Sequence, residues 1–435
     1  MSHVTFGPAD LTTFCSLDEL GLTVTRQHVD ARHAVLECRV SVIDDICRGC
    51  QESARSRGTV TRELAHDPFG DRPTTLLVRV RRYRCEPCDR FWLEDLTAVA
   101  EPRSKLSRGG LAWALKALVV DHMSISRIAA NLGVAWNTAN DAILTEGHRR
   151  LINDPARFNG VAVIGVDEHV WRHTRWGEKY VTVVIDLTPV RDGTGPSRLL
   201  DMFPGRSKQT FKTWLSDQPR HFRDDIEVIA MDGFTGFKSA ATEEVPHAVA
   251  VMDPFHVVRL AGDALDQCRR RTQQSIHGRR GMTGDPLYMS RRILHTGAKL
   301  LTDRQWDRLE ALFAANEHVE VEVTWTIYQQ LITAYRSTKR SQGKQILTEL
   351  IESLRTGVPA CLVELKKLGR TLNRRKGDVL AFFEHPGTSN GPTEAINGRL
   401  EHLRGSALGF RNLEHYITRT LLETGGFRPA LHPHL

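Results

Sequence analysis

The chain has 435 residues, of which 40% are hydrophobic and 26% are charged. A single hydrophobic core stops growing at about 250–300 residues, so the length predicts several domains, and the composition excludes a disordered chain and a membrane protein. Lysine and arginine exceed aspartate and glutamate by a net charge of +7, which favours a polyanionic partner such as a nucleic acid.

The N-terminal residues bear on localisation. The first twenty residues contain Asp10, Asp18 and Glu19 and no lysine or arginine, whereas a secretory signal begins with basic residues followed by an apolar run. The most apolar stretch, residues 111–120, is interrupted by Lys116 and is too short to cross a bilayer. We therefore predict a cytoplasmic protein.

Residues 1–100 carry a metal-binding pattern. Four of the eight cysteines form two C-x-x-C pairs, Cys47 with Cys50 and Cys85 with Cys88. This spacing lets both sulfurs of a tight turn reach one tetrahedral zinc ion. The alternating run 74–84 predicts a strand that leads into the second pair, which is the layout of a zinc ribbon. A redox pair or unrelated thiols are the alternatives.

Residues 101–155 are predicted to form a helix-turn-helix domain. Apolar residues recur at helical spacing from 125 to 132, Gly133 breaks the helix, and a second helix follows. The second helix of this motif enters the major groove of DNA. The residues predicted to face DNA are Arg127, Trp136, Asn137 and Asn140. An ordinary helical hairpin is the alternative interpretation.

Residues 160–254 have the pattern of a mixed sheet covered by helices. The predicted strands are 161–172, 179–187, 198–203, 226–233 and 247–254, with a helix near 207–215 after the third. Beyond residue 255 the chain becomes helical and basic: residues 269–292 contain seven arginines and one acid. The basic residues predicted to bind DNA phosphates are Arg269, Arg270, Arg271, Arg374, Arg375 and Lys376.

Three carboxylates are candidates for one catalytic site. Asp167 and Asp232 end apolar strands, and Glu394 lies in the first turn of a predicted helix that Pro392 opens. Three carboxylates brought together repel one another unless cations lie between them, and Mg²⁺ prefers such oxygen ligands. Two ions about 3.5–4 Å apart promote cleavage and joining of phosphodiesters.

Each acid also has a structural interpretation. Asp167 and Asp232 are typical of strand ends, and Glu394 is typical of a helix N-terminus. Asp253 ends the fifth strand and competes with Asp232 on the same local grounds, so the residues alone leave this choice open.

The order of these motifs resembles bacterial insertion-sequence transposases of the ISL3 family. The resemblance covers residues 40 to 425 and rests on the cysteine pairs, the helix-turn-helix and four segments: VIGVDEH (163–169), VIAMDGFTGF (228–237), MDPFHV (252–257) and SNGPTEAINGRLEHLRGSALGFRNLEHY (389–416). The last segment is the most specific.

The resemblance implies a multidomain α/β protein in which an RNase H-like domain follows the zinc ribbon and the helix-turn-helix. This catalytic domain comprises residues 156–264 and 386–425, and a basic all-α insertion, 265–385, interrupts it. Asp167, Asp232 and Glu394 match an Asp-Asp-Glu triad that binds Mg²⁺ or Mn²⁺. His256 matches a D-x-x-H element and is predicted to stabilise the site or contact the scissile phosphate; a packed histidine at a helix start is the alternative.

The function implied is DNA transposition. The protein is expected to bind the terminal inverted repeats of its element and target DNA, both double-stranded, and to catalyse metal-dependent cleavage and strand transfer near the bacterial nucleoid. Because two DNA ends must be brought together, we expect at least a homodimer. The alternatives are a sequence-specific DNA-binding regulator with a vestigial nuclease fold, and a nuclease without a joining step.

Overall fold

The structure is a computed structural model that describes residues 9–173 and 177–432. The chain folds into two compact units. The first comprises the described residues up to 155 together with 403–432, and the second comprises 156–402. Across the described ranges, no helix combines the length and apolar character needed to cross a membrane.

The secondary structure contains strands in both units. The strands are β1 (Leu22–Val29), β2 (Ala34–Val40), β3 (Arg55–Phe69), β4 (Arg72–Arg84), β5 (Phe91–Leu93), β6 (Val163–Val170), β7 (Tyr180–Asp186), β8 (Arg198–Pro204), β9 (Val228–Met231) and β10 (Val249–Met252). The helices up to β10 are α1 (Leu11–Phe14), α2 (Arg108–Val119), α3 (Ile125–Leu132), α4 (Trp136–Gly147), α5 (Thr188–Asp192), α6 (Lys208–Asp217), α7 (Arg220–Asp225) and α8 (Thr235–Glu244). Those that follow are α9 (Pro254–His277), α10 (Pro286–Met289), α11 (Arg291–Leu294), α12 (Asp303–Phe313), α13 (Val319–Tyr335), α14 (Arg340–Thr356), α15 (Val363–Arg374), α16 (Lys376–Ala381), α17 (Gly391–Ser406), α18 (Leu413–Thr424) and α19 (Arg428–Leu431).

The first unit begins with a five-stranded sheet of order β1-β2-β4-β3, with β5 paired to β4. The alternation in β4 buries Leu76, Val78 and Val80 against one core, because successive side chains of a strand point to opposite faces. The two cysteine pairs lie before β3 and between β4 and β5, so the sheet brings them to one end.

Helices α2, α3 and α4 form a second core in this unit. Ser124 caps α3 through a hydrogen bond from the Arg127 N–H group, and Gly133 ends α3 in the left-handed conformation at φ 65°. Helix α4 follows at once. Its N-cap is Ala135, whose side chain accepts no hydrogen bond.

Helix α18 belongs to the first unit. It contacts α2 and α4, and a Cβ atom on Gly147 would lie 2.8 Å from a Leu422 methyl group. The sequence predicts residues 386–425 as one part of the catalytic domain. The structure divides this segment, because the apolar face of α18 covers the core of α2–α4.

The second unit is built on a mixed sheet of order β10-β9-β6-β7-β8. Strands β6, β9 and β10 are parallel, whereas β7 is antiparallel to both β6 and β8. Phe211, Trp214 and Phe222 of α6 and α7 pack on the sheet. The predicted mixed sheet flanked by helices is confirmed.

Helices α9 to α16 form the helical part of the second unit, with a shared core of leucine, valine and aromatic side chains. Helix α9 begins at Pro254, directly after β10 and Asp253, and runs without a break to His277. The predicted insertion starts at residue 265, which lies inside this helix. The helical part is therefore a continuous extension of the sheet edge.

Candidate active site

Three aspartates line one edge of the sheet in the second unit. Val166 of β6 pairs with Met231 of β9, and Met231 pairs with Met252 of β10. Asp167, Asp232 and Asp253 are the next residues on these three parallel strands. Since neighbouring strands lie about 4.8 Å apart, the pairing places the three acids in one row, with Asp232 in the middle.

Helix α17 lies against this row. A Cβ atom on Gly165 of β6 would lie 3.0 Å from the Thr393 Oγ1 atom, so the missing side chain allows the helix to approach the strand closely. One turn further along, the Asn397 Nδ2 group donates a hydrogen bond of 3.0 Å to Asp167 Oδ2. The predicted segment around Glu394 is thus in contact with the strand that carries Asp167.

Asp253 connects α9 to α17. Its side chain is 4% exposed. Oδ2 accepts a hydrogen bond of 3.1 Å from the His256 N–H group and caps α9, while Oδ1 accepts one of 2.8 Å from the Asn390 N–H group. Burial raises the pKa of Asp253, and the two N–H donors act in the opposite direction. Both carboxylate oxygens are thus occupied by backbone groups.

The pKa of the Asp167 carboxyl group is strongly raised. Burial raises the pKa of Asp167 to about 7, the Glu168 N–H group opposes the rise, and the Asp232, Glu168 and Asp253 carboxylates add to it. Titratable groups shifted in this way by burial and like charges are typical of functional sites.

Asp232 and His256 lie around Gly233. Asp232 Oδ1 accepts a hydrogen bond of 2.8 Å from the Phe234 N–H group. The His256 ring packs so closely on Gly233 that any side chain there would collide with Nε2. Burial lowers the pKa of His256; the charges of Arg259 and Arg375 contribute to this, and Asp232 opposes it.

Glu394 is exposed, and within the described ranges its side chain has no hydrogen bond or ion pair. Among the described histidine, cysteine, aspartate and glutamate residues, only the four paired cysteines bring three or more ligand atoms within 4.8 Å of one another. The structure therefore places Glu394 one helical turn from the Asn397–Asp167 contact, but it does not bring Asp167, Asp232 and Glu394 into ligand distance.

The donor atoms of this site suit a hard divalent cation. They are carboxylate oxygens and the amide oxygen of Asn397, and oxygen is the ligand that Mg²⁺ and Mn²⁺ prefer. Asn397 Oδ1 is buried and has no hydrogen-bond partner among the described residues. An acceptor in that state is consistent with a cation at this position.

The predicted zinc site of the first unit has the expected geometry. The sulfur atoms of Cys47, Cys50, Cys85 and Cys88 all lie within 4.8 Å of one another. The Gly49 N–H group donates to Cys47 Sγ at 3.4 Å, and the N–H groups of Cys50 and Gly49 lower the pKa of Cys47 to about 6. Two of the four thiols are buried and two are half-buried, and a set of four cysteines is the ligand set of structural zinc sites.

The residues predicted to face DNA in the first unit differ in exposure. Arg127, Trp136 and Asn137 are exposed. Asn140 is 2% exposed, and its Nδ2 group donates to Asp141 Oδ1 at 3.0 Å. The prediction that Asn140 faces outward is wrong, because it lies on the same face of α4 as Ile143.

The basic residues predicted to bind DNA in the second unit also differ in exposure. Arg270 and Arg374 are exposed, and Lys376 is half-buried. Arg269 and Arg375 are 6% and 5% exposed, so the prediction that these two lie on a phosphate-binding surface is wrong.

The inward arginines form ion pairs instead. Arg269 pairs with Asp266, and Arg271 bridges Glu364 and Glu320 at 2.8 and 2.7 Å. Arg375 pairs with Asp378 and donates from Nη1 to the Gly233 carbonyl at 3.2 Å. These residues therefore stabilise the helical part, and Arg375 also fixes the loop after Asp232.

Asn397 is a site residue that the sequence-based prediction missed. The signal was present in the sequence, since residues 394 and 397 are three apart on one helix and such residues share a face. The buried role of Asp253 also has a local signal, because Asp followed by Pro is typical of an N-cap and the first helical position.

The comparisons with known proteins identify a family. A family model described as transposase, of the ISL3 type, matches residues 164–420. The transposase for insertion sequence element IS1557 of Mycobacterium tuberculosis is 27% identical over 320 residues, which covers 68% of each chain. The transposase for insertion sequence element IS1001 of Bordetella parapertussis is 24% identical over 378 residues, covering 86% of this chain and 87% of that one.

Among solved structures, the Drosophila P element transposase strand transfer complex covers 72% of this chain and 90% of its own, with 11% identity and a TM-score of 0.39. A likeness of that size does not establish a shared fold. The family match is the stronger finding, because it spans more than half of the chain and includes all three aspartates, Glu394 and Asn397. The chain belongs to the ISL3 family of transposases, which catalyse DNA transposition.

Proposed function

We propose that the second unit is an RNase H-like catalytic domain in which Asp167, Asp232 and Glu394 bind two Mg²⁺ or Mn²⁺ ions. The sheet order β8-β7-β6-β9-β10, with only β7 antiparallel to its neighbours, supports this assignment. Read from the edge, this is strand order 3-2-1-4-5 within the domain. Ligands of open mixed sheets collect at the carboxyl ends of the parallel strands, where Asp167 and Asp232 lie.

One observation carries the proposal. The segment 389–397 follows Asp232 by more than 150 residues, yet Asn397 donates to Asp167 and the Asn390 N–H group donates to Asp253. These two hydrogen bonds hold the first turns of α17, including Glu394, beside the aspartate row. This attachment of the helix start supports the assignment of Glu394 as the third acid.

Asp232 is a better candidate for the second acid than Asp253. Both oxygens of Asp253 accept backbone hydrogen bonds, whereas only Oδ1 of Asp232 accepts one among the described residues. Asp232 therefore keeps an oxygen for a cation or a substrate, and Asp253 acts as a positioning residue.

The residues of the site have different roles in phosphodiester cleavage and strand transfer. Divalent ions, when bound, supply positive charge to the attacking and leaving oxygens of the phosphodiester. The carboxylates fix where that charge lies, so that in-line attack benefits from positioning and electrostatics. His256, next to Gly233, is placed to contact a phosphate oxygen beside Asp232.

The first unit supplies DNA recognition in this proposal. The four cysteines bind structural Zn²⁺, and α4 reads the terminal inverted repeats with Trp136 and Asn137 at its exposed start. In the second unit, the exposed side chains of Arg270 and Arg374 neutralise DNA phosphates. At least two protomers hold the two DNA ends. The protein acts on DNA in the bacterial nucleoid.

A strand-transfer assay tests the catalytic assignment. A pre-cut terminal-repeat oligonucleotide is incubated with the full-length protein, Mg²⁺ and a plasmid, and covalent joining is followed on a gel. We expect Asp167→Asn, Asp232→Asn and Glu394→Gln to abolish joining while repeat binding persists. The exposed Glu310→Gln variant of α12 is the matched control and should join DNA normally.

The assay also separates the alternatives. If the Asp232→Asn variant still joins DNA, the second acid of the triad is Asp253 and not Asp232. Repeat binding by the wild-type protein without cleavage, with or without Mg²⁺, would favour the DNA-binding regulator. Cleavage without joining would favour a nuclease.

A further inference from the structure

We propose that Asn397 is a further ligand of the cation that Asp167 binds, with Oδ1 as the donor atom, while its Nδ2 group holds Asp167 in place. The proposal rests on the proposed function, since it concerns the same site. It adds a neutral amide oxygen to the carboxylate ligands. The amide oxygen of Asn397 binds the cation, and its amide nitrogen hydrogen-bonds to Asp167.

The first step is the orientation of the amide. Nδ2 donates a hydrogen bond of 3.0 Å to Asp167 Oδ2. The amide must therefore turn its N–H side toward Asp167. Oδ1, on the opposite side of the planar amide, points away from that carboxylate oxygen.

The second step is the state of Oδ1. This oxygen is buried and lacks a hydrogen-bond partner among the described residues. A buried acceptor has given up its hydrogen bonds to water, so nearly all such atoms in folded proteins have a replacement partner. A cation next to Asp167 is a partner that suits an amide oxygen.

The third step is the rigidity of the helix. Thr393 contacts Gly165, and its hydroxyl donates to Asn390 Oδ1 at 3.0 Å. The Asn390 N–H group donates to Asp253. Together with the Asn397–Asp167 hydrogen bond, these contacts fix helix α17 on both sides of Glu394.

The fourth step is the charge of the site. Asp167 already lies near Asp232, Glu168 and Asp253, so a further carboxylate at position 397 would add repulsion before a cation binds. An amide contributes an oxygen ligand without adding charge. Carboxylate and carbonyl oxygens are both ligands that suit Mg²⁺ and Mn²⁺.

The test measures cation affinity rather than joining. The full-length, zinc-loaded protein is titrated with Mn²⁺ in the absence of DNA, and free Mn²⁺ is followed by electron paramagnetic resonance. We expect Asn397→Ala to bind Mn²⁺ about tenfold more weakly than the wild-type protein. Asn397→Asp, which keeps an oxygen donor and loses the N–H donor, should bind at least as tightly as the wild type.

Two controls accompany the test. His402→Ala changes an exposed residue of the same helix and should leave the affinity unchanged. Near-ultraviolet circular dichroism and a thermal melt without Mn²⁺ establish that each variant is folded.

Each other outcome has a defined meaning. Wild-type affinity in folded Asn397→Ala overturns the proposal. If Asn397→Asp binds as weakly as Asn397→Ala, the amide acts only by holding Asp167, and the ligand assignment is overturned. If Asp167→Asn also binds Mn²⁺ like the wild type, the proposed cation site itself fails, which distinguishes that failure from a failure of the Asn397 assignment alone.

Discussion

Single residues determine how closely α17 approaches the sheet. Gly165 is fully enclosed: a Cβ atom there would lie 2.9 Å from an Ile185 carbon, 3.0 Å from Thr393 Oγ1 and 3.1 Å from a Leu187 methyl group. All three contacts are shorter than ordinary van der Waals distances. A methyl group at this position would therefore push the helix that carries Glu394 away from Asp167.

We expect Gly165→Ala to lower the free energy of unfolding by about 1–3 kcal/mol because of this overpacking, and to reduce strand transfer. Gly377→Ala is the matched control, since a Cβ atom on Gly377 would have no neighbour within 4 Å. Urea unfolding of the two variants checks the prediction. Equal stability of both would contradict the close approach of Thr393.

A buried histidine makes the first unit sensitive to acid. His66 is 4% exposed, its Nδ1 atom lies 2.7 Å from the Ser107 hydroxyl that caps α2, and burial lowers the pKa of His66 from 6.5 to about 4. The unfolded chain therefore takes up a proton at a higher pH than the folded chain does.

From this shift we expect stability to be highest above pH 6.5 and to decline as the pH falls toward 4. The loss attributable to His66 is about 3 kcal/mol. Urea unfolding of the wild type and of His66→Gln at several pH values measures it. The variant should be less stable at neutral pH and should show a shallower decline in acid.

At the scale of elements, Asp253 joins the start of α9 to the start of α17. Two backbone N–H groups from these helices share one carboxylate. Its removal leaves both donors unpaired inside the protein, and an unsatisfied buried donor costs more than the loss of an exposed cap.

We expect Asp253→Ala to destabilise the protein by about 2–4 kcal/mol. Ser207→Ala removes the exposed cap of α6 and should cost about 1 kcal/mol. Thermal unfolding of the two variants compares these costs. A smaller loss for Asp253→Ala than for Ser207→Ala would show that the buried connection contributes little.

The elements also show how far the sequence determines the site. The apolar runs predict the strands that lead to Asp167, Asp232 and Asp253, and the turn residues before Glu394 predict its helix. The inward positions of Asn140 and Arg269 could also be predicted from the sequence. Each lies three or four residues from an apolar residue of the same helix that is buried (Ile143 and Leu265). The partners of Arg375 were not, since Gly233 is more than 140 residues away and no local pattern reports that contact.

At the scale of the whole molecule, the zinc site and the catalytic site lie in different units. Cys47 and Cys85 are fully buried and pack with Tyr83 and Ala54. Removing one thiol should open this small core, because structural zinc sites supply folding energy directly.

We therefore expect Cys85→Ser to lose its zinc and its affinity for the terminal repeats while the second unit keeps its Mn²⁺ affinity. Elemental analysis, a DNA-binding assay and the Mn²⁺ titration measure the three quantities. Loss of Mn²⁺ binding together with zinc would show that the two units do not fold independently.

The covering of α2–α4 by α18 has a consequence for synthesis of the protein. Leu422 and Phe427 belong to the same core as Ile128 and Ile143, yet more than 250 residues separate them in the chain. At roughly 5–20 residues per second on the ribosome, the early helices wait for tens of seconds before their last partner emerges. A prematurely terminated polypeptide would lack this covering, so part of the apolar core of α2–α4 would stay exposed to water until translation of the chain is complete.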